Sequence, residues 1–309
     1  MKKYIRIMRL DHWIKQLFIL PGLACGLLLT DATLDSSIFF VLIQGFLSTC
    51  AIASANYVIN EYLDAEFDRF HPTKKFRAVV SEDVDGRIVW TLWFALSVVG
   101  MLLGKAVNDM FFWTECWLWL MGLLYNVKPF RTKDIAILDV LSESVNNMIR
   151  LLLGWFIITD RALPPSSIIL GYWMLGAFLM AIKRFAEFRM IGDPKLAGLY
   201  RRSFRFYSER SLLTGAFFYA MCSAFFIGIF LIKYRVELVL FMPFLMALFC
   251  YYFLLSFKDD SSVQKPEKLY HETTLMIGCA FLIVLFAALM LIDIPQLKIF
   301  VSGELVRIK

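Results

Sequence analysis

The chain is poor in the residues that form zinc sites and disulfide frameworks. It has three histidines, His12, His71 and His271, in 309 residues. Its six cysteines all fall within apolar segments and show neither CxxC nor Cys/His spacing. Isolated cysteines in apolar runs are typical small core residues. The sequence therefore argues against a Cys/His metal centre and against a disulfide scaffold.

We also expect no cleavable leader in this sequence. The segment 1–15 is basic and amphipathic, and the apolar run after it has no convincing small-residue cleavage site before a soluble region. We therefore expect this run to stay in the protein as a helix. No short internal repeat is visible, and we treat residues 1–309 as a single domain.

Apolar residues, in contrast, are abundant. The chain is 60% hydrophobic, its mean hydropathy is +0.66, and several of its eight tryptophans lie near the ends of apolar runs. This composition predicts an integral membrane protein with interfacial aromatic belts. Because about 20 apolar residues cross a bilayer, we predict an all-α bundle of about nine transmembrane helices. They are placed near 15–32, 37–60, 88–105, 110–126, 135–158, 166–184, 212–232, 236–257 and 273–293.

Basic residues are distributed unequally between the two sides that these spans define. One side carries 24 Lys and Arg residues, and the opposite side carries seven. The positive-inside rule therefore predicts cytoplasmic cap loops on the basic side. On that side the net charge of +6 would attract phosphorylated metabolites and anionic lipid headgroups. We expect no nucleic-acid partner. The basic loops are 1–15, 64–87, 127–134, 183–211 and 258–272.

The stretch from Asn60 to Arg77 is the most informative part of the sequence. Asn60, Asp64 and Asp68 recur every four residues, which stacks three oxygen-bearing side chains on one helical face. Such oxygens suit Mg²⁺, which keeps coordination positions open for phosphate. The alternative is an ordinary solvated charge run at a helix end. Donors that could hold the rest of a phosphorylated ligand follow directly: His71, Lys74, Lys75 and Arg77.

A polar stripe enters the predicted fifth span. It contains three four-residue steps, 139 to 143, 143 to 147 and 146 to 150, so the polar groups form a stripe along the helix. Ionisable groups at membrane depth are costly unless they face a cavity or a partner. The stripe is therefore a candidate binding surface, or alternatively Glu143 and Arg150 pair within the bundle. The stripe consists of Asp139, Glu143, Asn146, Asn147 and Arg150.

A third charged stretch follows the predicted sixth span. Lys183 and Glu187 are one helical turn apart, with Arg184 on the adjacent face. An arginine in such a cluster can bind phosphate bidentately. For the later Arg201, Arg202 and Arg205 we favour the alternative of a positive-inside anchor with snorkelling side chains.

These motifs resemble the UbiA superfamily of membrane prenyltransferases, and most closely its decaprenyl-phosphate phosphoribosyltransferase branch. The superfamily's first motif is matched from Asn60 to Asp68, with Glu61 where Asp is usual. The branch's Asp-Arg-x-His-Pro-x-Lys-x-x-Arg extension is matched from Asp68 to Arg77, and Ala78 replaces its final proline. The branch's Trp-x-Lys and Lys-Arg-x-Ala-Glu elements are matched from Trp13 to Lys15 and from Lys183 to Glu187. The fifth span is more polar than expected for the branch.

The resemblance implies a UbiA-like fold and a Mg²⁺-dependent reaction. A 5-phosphoribosyl group would pass from phosphoribosyl pyrophosphate to a polyprenyl phosphate in the cell envelope, at the cytoplasmic side of a bacterial inner membrane. Metal and pyrophosphate would be bound by Asn60, Asp64 and Asp68. The sugar phosphate end or the pyrophosphate would be bound by His71, Lys74 and Arg77, and the donor pocket would be closed by Lys183, Arg184 and Glu187. The lipid phosphate would be received by Lys15, with Lys128 and Arg131 as weaker candidates; Glu143, Asn147 and Arg150 complete the candidate set.

Two other functions remain open from the sequence. Superfamily members that transfer a prenyl group from its diphosphate carry a second Asp-rich motif after the sixth helix, where this chain has the basic run from Lys183 to Arg189. This absence favours phosphoribosyl transfer over prenyl transfer to an aromatic or other small acceptor. The third function is a non-catalytic membrane binder of lipid phosphate. Each is compatible with a homo-oligomer.

Overall fold

The computed structural model describes residues 2–30, 32, 36–82, 84–258, 261–264 and 266–301. Within these ranges every regular element is helical, as predicted. A 3₁₀ segment, Leu10–Ile19, joins the first two α-helices, and another, Val236–Phe241, leads into the eleventh. Parts of the predicted loop 258–272 lie outside the described residues. The α-helices are α1 (Lys2–Met8), α2 (Leu20–Leu29), α3 (Ser36–Asp68), α4 (Ala78–Ser81), α5 (Gly86–Val107), α6 (Asp109–Asn126), α7 (Leu138–Ile158), α8 (Ser166–Ile191), α9 (Pro194–Tyr200), α10 (Glu209–Tyr234), α11 (Met242–Leu255) and α12 (Thr273–Leu291).

The predicted number of membrane spans is not confirmed. By length and composition, seven stretches of the described residues can cross a bilayer. Helices also occupy the predicted spans 110–126 and 135–158, but these helices, α6 and α7, are not among the seven. Both carry ionisable residues, which lowers their apolar character. The seven are Lys2–Leu29, Ile38–Asp68, Gly86–Val107, Ser166–Ile191, Glu209–Tyr234, Val236–Leu255 and Thr273–Leu291.

Helix α7 lies at the centre of the bundle. It packs against α2, α6 and α8, and 13 of its 21 residues are buried. Its apolar side chains join those of α3 and α6 in the largest core cluster, in which Ile149 and Leu153 are fully buried. Because other helices surround α7, its polar stripe can lie inside the protein without meeting lipid.

Two glycines allow α2 to approach α7 closely. A Cβ atom at Gly22 would lie 1.8 Å from the carbonyl oxygen of Leu151, and one at Gly154 would lie 1.8 Å from that of Ile19. No side chain larger than hydrogen fits at such distances. Small residues at helix contacts are typical of membrane bundles, where backbone proximity replaces the hydrophobic driving force.

Local capping sets where several helices begin. Asp85 accepts a hydrogen bond from the Arg87 backbone N–H at the start of α5, and Asn108 does the same for Phe111 at the start of α6. Ser208 forms a capping box with Ser211 at the start of α10. Each cap satisfies N–H groups that would otherwise lack an intrahelical partner.

One end of the bundle gathers the charged motifs. Helix α3 ends there at Asp68, α7 begins there at Leu138, and α8 reaches it with Glu187. We call this the motif end. Amphipathic α1 packs against α3 and α4 at the same end, burying Ile7 with Val58 and Ala78. The loops and short helices at this end therefore form a cap over the charged groups.

Candidate active site

The last turns of α3 present Asn60, Asp64 and Asp68 along one face, as the spacing predicts. Asp64 Oδ1 accepts hydrogen bonds from Lys133 Nζ at 2.5 Å and from Arg131 Nη2 at 2.9 Å. Asn60 Nδ2 lies 3.3 Å from Asp64 Oδ2. The central carboxylate of the motif is thus held by two cations from the loop after α6.

Asn126, the last residue of α6, organises this contact. Its Oδ1 accepts from Lys133 Nζ at 2.7 Å and from Asn60 Nδ2, and its backbone carbonyl accepts from Arg131 Nη1 at 3.0 Å. Neither Asn126 nor Lys133 was predicted as a site residue. Asn126 ends the predicted span 110–126 and Lys133 lies in the loop after it, and this position at the end of a span was the available signal.

Asp68 is paired within the same stretch of chain. Arg77 Nη1 donates to Asp68 Oδ2 at 2.6 Å, which folds the segment after α3 back onto the helix. Asp64 and Asp68 border one small space of about 20 Å³, together with Arg131, Lys133 and Arg201. We call it the acidic space. Its volume suits one small ion or one water molecule.

The residues around the acidic space fit a divalent cation that is only partly coordinated by protein. Asp68 keeps one carboxylate oxygen without a hydrogen-bond partner in the described chain, and carboxylate oxygens are ligands that Mg²⁺ prefers. No group of three or more His, Cys, Asp or Glu side chains with metal-binding geometry occurs among the described residues. A cation here would therefore depend on water or phosphate for most of its ligands.

A chain of buried ionic contacts joins the first and third charged stretches. Lys74 Nζ lies 2.7 Å from Glu187 Oε1 and also donates to the Tyr200 hydroxyl. Arg184 Nη1 donates to Glu187 Oε2 at 2.9 Å, and its Nη2 donates to the Tyr125 hydroxyl at 3.0 Å. The structure thus brings together residues more than 100 positions apart in the sequence.

Asp139 fixes the loop after α8 to the start of α7. It is fully buried and accepts from the hydroxyls of Ser203 and Tyr207, at 3.0 and 2.7 Å. Arg184 Nε lies 3.5 Å from the same carboxylate, and Arg201 Nη1 lies 3.9 Å away. Asp139 was predicted only as part of the stripe. Its position shows that it orients the arginines of the third stretch.

A second, larger cavity lies beside the acidic space. It has a volume of about 220 Å³ and is lined by Arg9, Lys74, Arg77 and Lys183, with Glu187 as the only carboxylate from the described chain. We call it the basic cavity. An excess of cationic side chains around one cavity favours an anionic ligand.

His71 directs a hydrogen-bond donor toward the basic cavity. Its Nδ1 accepts from the backbone N–H groups of Thr73 and Lys74, each at 3.2 Å, so the ring proton is assigned to Nε2. Nε2 is buried and has no hydrogen-bond partner within the described residues, while His71 lines the cavity. A buried donor of this kind requires an acceptor, which a phosphate oxygen would provide.

Burial and the nearby Lys74 lower the pKa of His71 to about 3. The unfolded chain therefore takes up a proton between about pH 6.5 and pH 3 that the folded protein does not. This contribution to stability is present above pH 6.5 and is lost as the pH falls toward 3. We expect His71→Gln to lower the pH dependence of the melting temperature between pH 7 and pH 5. Equal pH dependence in wild type and His71→Gln would contradict this.

Two lysines at the site are also perturbed. Burial lowers the pKa of Lys133 to about 8, against the opposing effect of Asp64. Burial likewise lowers the pKa of Lys74, and Glu187 opposes this shift. At each lysine one carboxylate opposes the loss of charge that burial favours, which makes these ion pairs sensitive to substitution.

The polar stripe of α7 makes contacts on the side of the first 3₁₀ segment. Arg150 Nε donates to Gln16 Oε1 at 2.7 Å, and its Nη1 donates to Asn147 Oδ1 at 3.2 Å. Glu143 is half-buried and has no ion pair among the described residues. The alternative in which Glu143 and Arg150 pair is therefore not what the structure shows.

The candidates for the lipid phosphate are placed differently from one another. Lys15 Nζ lies 2.9 Å from His12 Nδ1, and His12 lines the basic cavity. Arg131 lies at the acidic space instead, bound to Asp64. Lys128 is exposed and lines neither cavity. The structure thus brings Lys15 near the site and leaves Lys128 outside it.

Backbone strain is concentrated at the motif end. Arg9, Arg131 and Ile137 have φ values of 53°, 32° and 72°, a region that L-residues other than Asn and Asp adopt infrequently. The Ile137 N–H donates to the Tyr207 hydroxyl at 2.6 Å, which holds this conformation. Such residues tend to occur at functional sites, where surrounding contacts compensate the strain.

The bundle and its charged end define a polytopic integral membrane protein with an ionic site at one side of the bilayer. The chain belongs to the UbiA prenyltransferase family, whose model matches residues 18–282. It is therefore a transferase of a membrane family. The family and the all-helical fold were both predicted from the sequence motifs, and both are confirmed.

Comparisons with individual proteins agree with this assignment. A decaprenyl-phosphate phosphoribosyltransferase of Mycolicibacterium smegmatis is 30% identical over 196 residues, 60% of this chain and 57% of that protein. The nodulation protein NoeC of Azorhizobium caulinodans is 26% identical over 213 residues, 68% of this chain and 65% of that protein. The matches thus cover less than two thirds of the length of each of these two relatives.

A solved structure shares the fold. A UbiA homolog from Archaeoglobus fulgidus, bound to GPP and Mg²⁺, aligns with a TM-score of 0.69 at 20% identity. The alignment covers 94% of this chain and 100% of that chain. At 20% identity this structural similarity is evidence for a shared fold alone.

Proposed function

We propose that this protein transfers a 5-phosphoribosyl group from phosphoribosyl pyrophosphate to a polyprenyl phosphate and releases pyrophosphate. The observation that carries the proposal is the pair of adjacent sites at the motif end. The acidic space suits a metal ion at the pyrophosphate end of a ligand, and the larger basic cavity beside it suits phosphate oxygens. Phosphoribosyl pyrophosphate carries a pyrophosphate and a separate 5-phosphate, so this donor matches both sites.

The third charged stretch supports this donor over a prenyl diphosphate. Glu187 is its only carboxylate, and both of its oxygens are engaged, one by Lys74 and one by Arg184. No free acidic group therefore remains there for a second set of Mg²⁺ ligands. The curated relative from M. smegmatis, by its name, carries the phosphoribosyl activity.

The roles of the residues follow from their positions. In the reaction the bond between the anomeric carbon and pyrophosphate breaks, and an oxygen of the lipid phosphate forms the new bond. Bound Mg²⁺ would act as a Lewis acid on the leaving pyrophosphate. Asp64 and Asp68, with Asn60 beside them, would hold that cation, and Arg77 and Lys133 would bind the phosphate oxygens around it.

The remaining contacts position the two substrates. The His71 Nε2–H and Lys183 would bind the sugar phosphate in the basic cavity, whose wall is held in place by Lys74, Arg184 and Glu187. Lys15 would receive the lipid phosphate. This phosphate is already ionised at neutral pH, so it needs orientation and no strong general base.

The proposal includes an orientation in the membrane. The excess of Lys and Arg on the loops of the motif end supports a cytoplasmic site, as the positive-inside rule predicts. Phosphoribosyl pyrophosphate is a cytosolic metabolite, which agrees with that side. We propose a bacterial inner membrane from the resemblance to the bacterial phosphoribosyltransferases.

One assay separates this function from its alternatives. Purified protein is incubated with Mg²⁺, a polyprenyl phosphate and ribose-labelled phosphoribosyl pyrophosphate, and the lipid fraction is counted. We expect label in the lipid. Unlabelled lipid together with turnover of a prenyl diphosphate on a small acceptor would indicate a prenyltransferase, and neither reaction would indicate a non-catalytic binder.

A further inference from the structure

Arg150 is an arginine inside the bundle that no carboxylate of the described chain neutralises. It is half-buried on α7, which other helices surround, and its guanidinium is always charged. Its hydrogen bonds go to two neutral amides, Gln16 Oε1 at 2.7 Å and Asn147 Oδ1 at 3.2 Å. The buried Glu115 accepts instead from the Thr49 hydroxyl at 2.7 Å. Because an uncompensated charge inside a membrane bundle is costly, Arg150 favours an anionic ligand.

Gln16 adds a second donor beside this guanidinium. Arginine has no acceptor atom, so the amide oxygen of Gln16 must face Arg150 Nε, and the amide nitrogen is left as a donor. Gln16 is fully buried, and its Nε2 has no hydrogen-bond partner within the described residues. Buried donors are rarely left without an acceptor. Because the Gln16 amide is itself bonded to Arg150, both donors lie within reach of one anionic group.

This pair lies deeper in the bundle than the basic cavity. Gln16 follows His12, which lines that cavity, by four residues of the 3₁₀ segment, a rise of about 8 Å. Arg150 contacts Asn147, one turn nearer to the start of α7, so its guanidinium points back toward the motif end. The separation is short enough for one sugar ring to bridge.

On the side away from the motif end the surroundings of the pair are apolar. Helix α2, which follows Gln16, has no charged residue, and neither do residues 151–158 of α7, which follow Arg150. These two stretches pack against each other. An anion held by the pair therefore has ionic groups on one side and hydrocarbon-like surface on the other, which matches an anionic lipid with a long apolar chain.

We propose that Arg150 and Gln16 bind the phosphate group of a polyprenyl phosphate inside the bundle. Arg150 Nη2 and Gln16 Nε2 donate to two phosphate oxygens, and Lys15 reaches the third from the side of the basic cavity. The isoprenoid chain runs along α2 and the second half of α7. This inference rests on the proposed function for the identity of the lipid, and it adds the groups that select a phosphate over an alcohol.

The physical reason for this selection is charge compensation. A phosphate neutralises Arg150 and accepts hydrogen bonds from both donors, and bonds between ionised partners are about twice as strong as neutral ones. An uncharged alcohol of the same chain leaves the guanidinium uncompensated. Loss of one charged hydrogen bond changes affinity by at least about tenfold.

Equilibrium binding of a radiolabelled polyprenyl phosphate to the detergent-solubilised protein, without donor or Mg²⁺, tests the site without turnover. We expect it to bind at least about tenfold more tightly than the corresponding polyprenol, used as a competitor. Equal affinity for the phosphate and the alcohol would overturn the inference. Inorganic phosphate is the second competitor. If it displaces the lipid as effectively as unlabelled polyprenyl phosphate does, the site binds free phosphate and the lipid assignment is wrong.

Arg150→Met removes the charge and keeps most of the side-chain length. We expect at least about tenfold weaker binding of polyprenyl phosphate, with the affinity for polyprenol unchanged. Arg161→Met is the matched control, because Arg161 is exposed after the end of α7, and it should bind both lipids like wild type. Wild-type affinity for polyprenyl phosphate in Arg150→Met would overturn the inference.

Gln16→Glu keeps the test decisive if Arg150→Met does not fold. The glutamate has the shape of the amide, gives Arg150 a counterion within the protein and repels a phosphate. We therefore expect the melting temperature without ligand to stay near or above that of wild type, while the affinity for polyprenyl phosphate falls at least about tenfold. Undiminished binding by Gln16→Glu would show that the phosphate lies elsewhere.

Lys15→Met separates failure of this inference from failure of the proposed function. If binding of polyprenyl phosphate weakens in Lys15→Met alone, the phosphate lies at the basic cavity, so the inference is wrong and the proposed function stands. If binding depends on Arg150 as expected but wild type transfers no label from phosphoribosyl pyrophosphate, the lipid site stands and the proposed reaction is wrong.

Discussion

If the protein has the proposed activity, we expect Asp64→Asn to lower the rate of phosphoribosyl transfer by at least about 10³-fold, because several kcal/mol of leaving-group stabilisation would be lost with the carboxylate charge. The amide has nearly the same size, so packing at the end of α3 should change little. The carboxylate is, however, the shared partner of Lys133 and Arg131, and both cations are left without their main counterion. The rate is measured as label transferred to polyprenyl phosphate at saturating donor and Mg²⁺.

The control for this prediction lies two residues away on the same helix. Glu66 is exposed and does not line the acidic space, so Glu66→Gln removes a similar charge without touching the site. We expect it to transfer at nearly the wild-type rate. Asp64→Asn should elute as a folded protein in the same detergent, with a lowered melting temperature because Lys133 and Arg131 lose their shared partner. Robust transfer by Asp64→Asn would contradict the metal role of this residue.

Glu187→Ala is the variant that we expect to damage the protein most. Glu187 is 1% exposed and pairs with Lys74 at 2.7 Å and with Arg184 at 2.9 Å. Removing it leaves Lys74 without its carboxylate partner and Arg184 with Asp139 alone, and breaking a buried pair costs about 3–5 kcal/mol. The loss of stability is measured as a fall in melting temperature. We also expect transfer to be lost, because Glu187 forms part of the wall of the basic cavity.

A double-mutant cycle shows whether the pair acts as a unit. Lys74→Met together with Glu187→Met removes both charges, and we expect its loss of stability to be smaller than the sum of the two single losses. Transfer should remain abolished in the double variant, since Lys74 and Glu187 both line the basic cavity. Additive losses of stability would show that Lys74 and Glu187 are not coupled. Recovery of transfer along with stability would show that the pair is structural only.

The motif of α3 shows what local sequence is sufficient to predict. The four-residue spacing of Asn60, Asp64 and Asp68 fixes a common helical face whatever surrounds it, because the helical repeat is a property of the backbone. The apolar runs predict helices in the same way. Both predictions agree with the structure. The number of membrane spans cannot be predicted in this way, because α7 is too polar to count as a span by composition and is nevertheless buried in the bundle.

The partners of these residues were not accessible to the same reasoning. Lys133 lies 69 positions from Asp64, and Glu187 lies 113 positions from Lys74. Nothing in the local pattern distinguishes Lys133, which reaches the site, from Lys128, which is exposed on the same loop. Asp139 likewise had the pattern of a stripe residue, and only its contacts with Tyr207 and Arg184 show that it orients the arginines.

The sequence by itself determined the membrane class, the helical composition, the family and the oxygen-bearing face of α3, because these depend on composition, short-range periodicity and contiguous motifs. Only the tertiary structure decided which cations meet Asp64, that Lys74 and Glu187 join two distant stretches, and that a basic cavity lies beside the acidic space. Those features depend on how α3, α6, α7 and α8 pack, and the packing is decided by side-chain shape and burial over the whole chain. A charge in a loop has no fixed partner until that packing is complete.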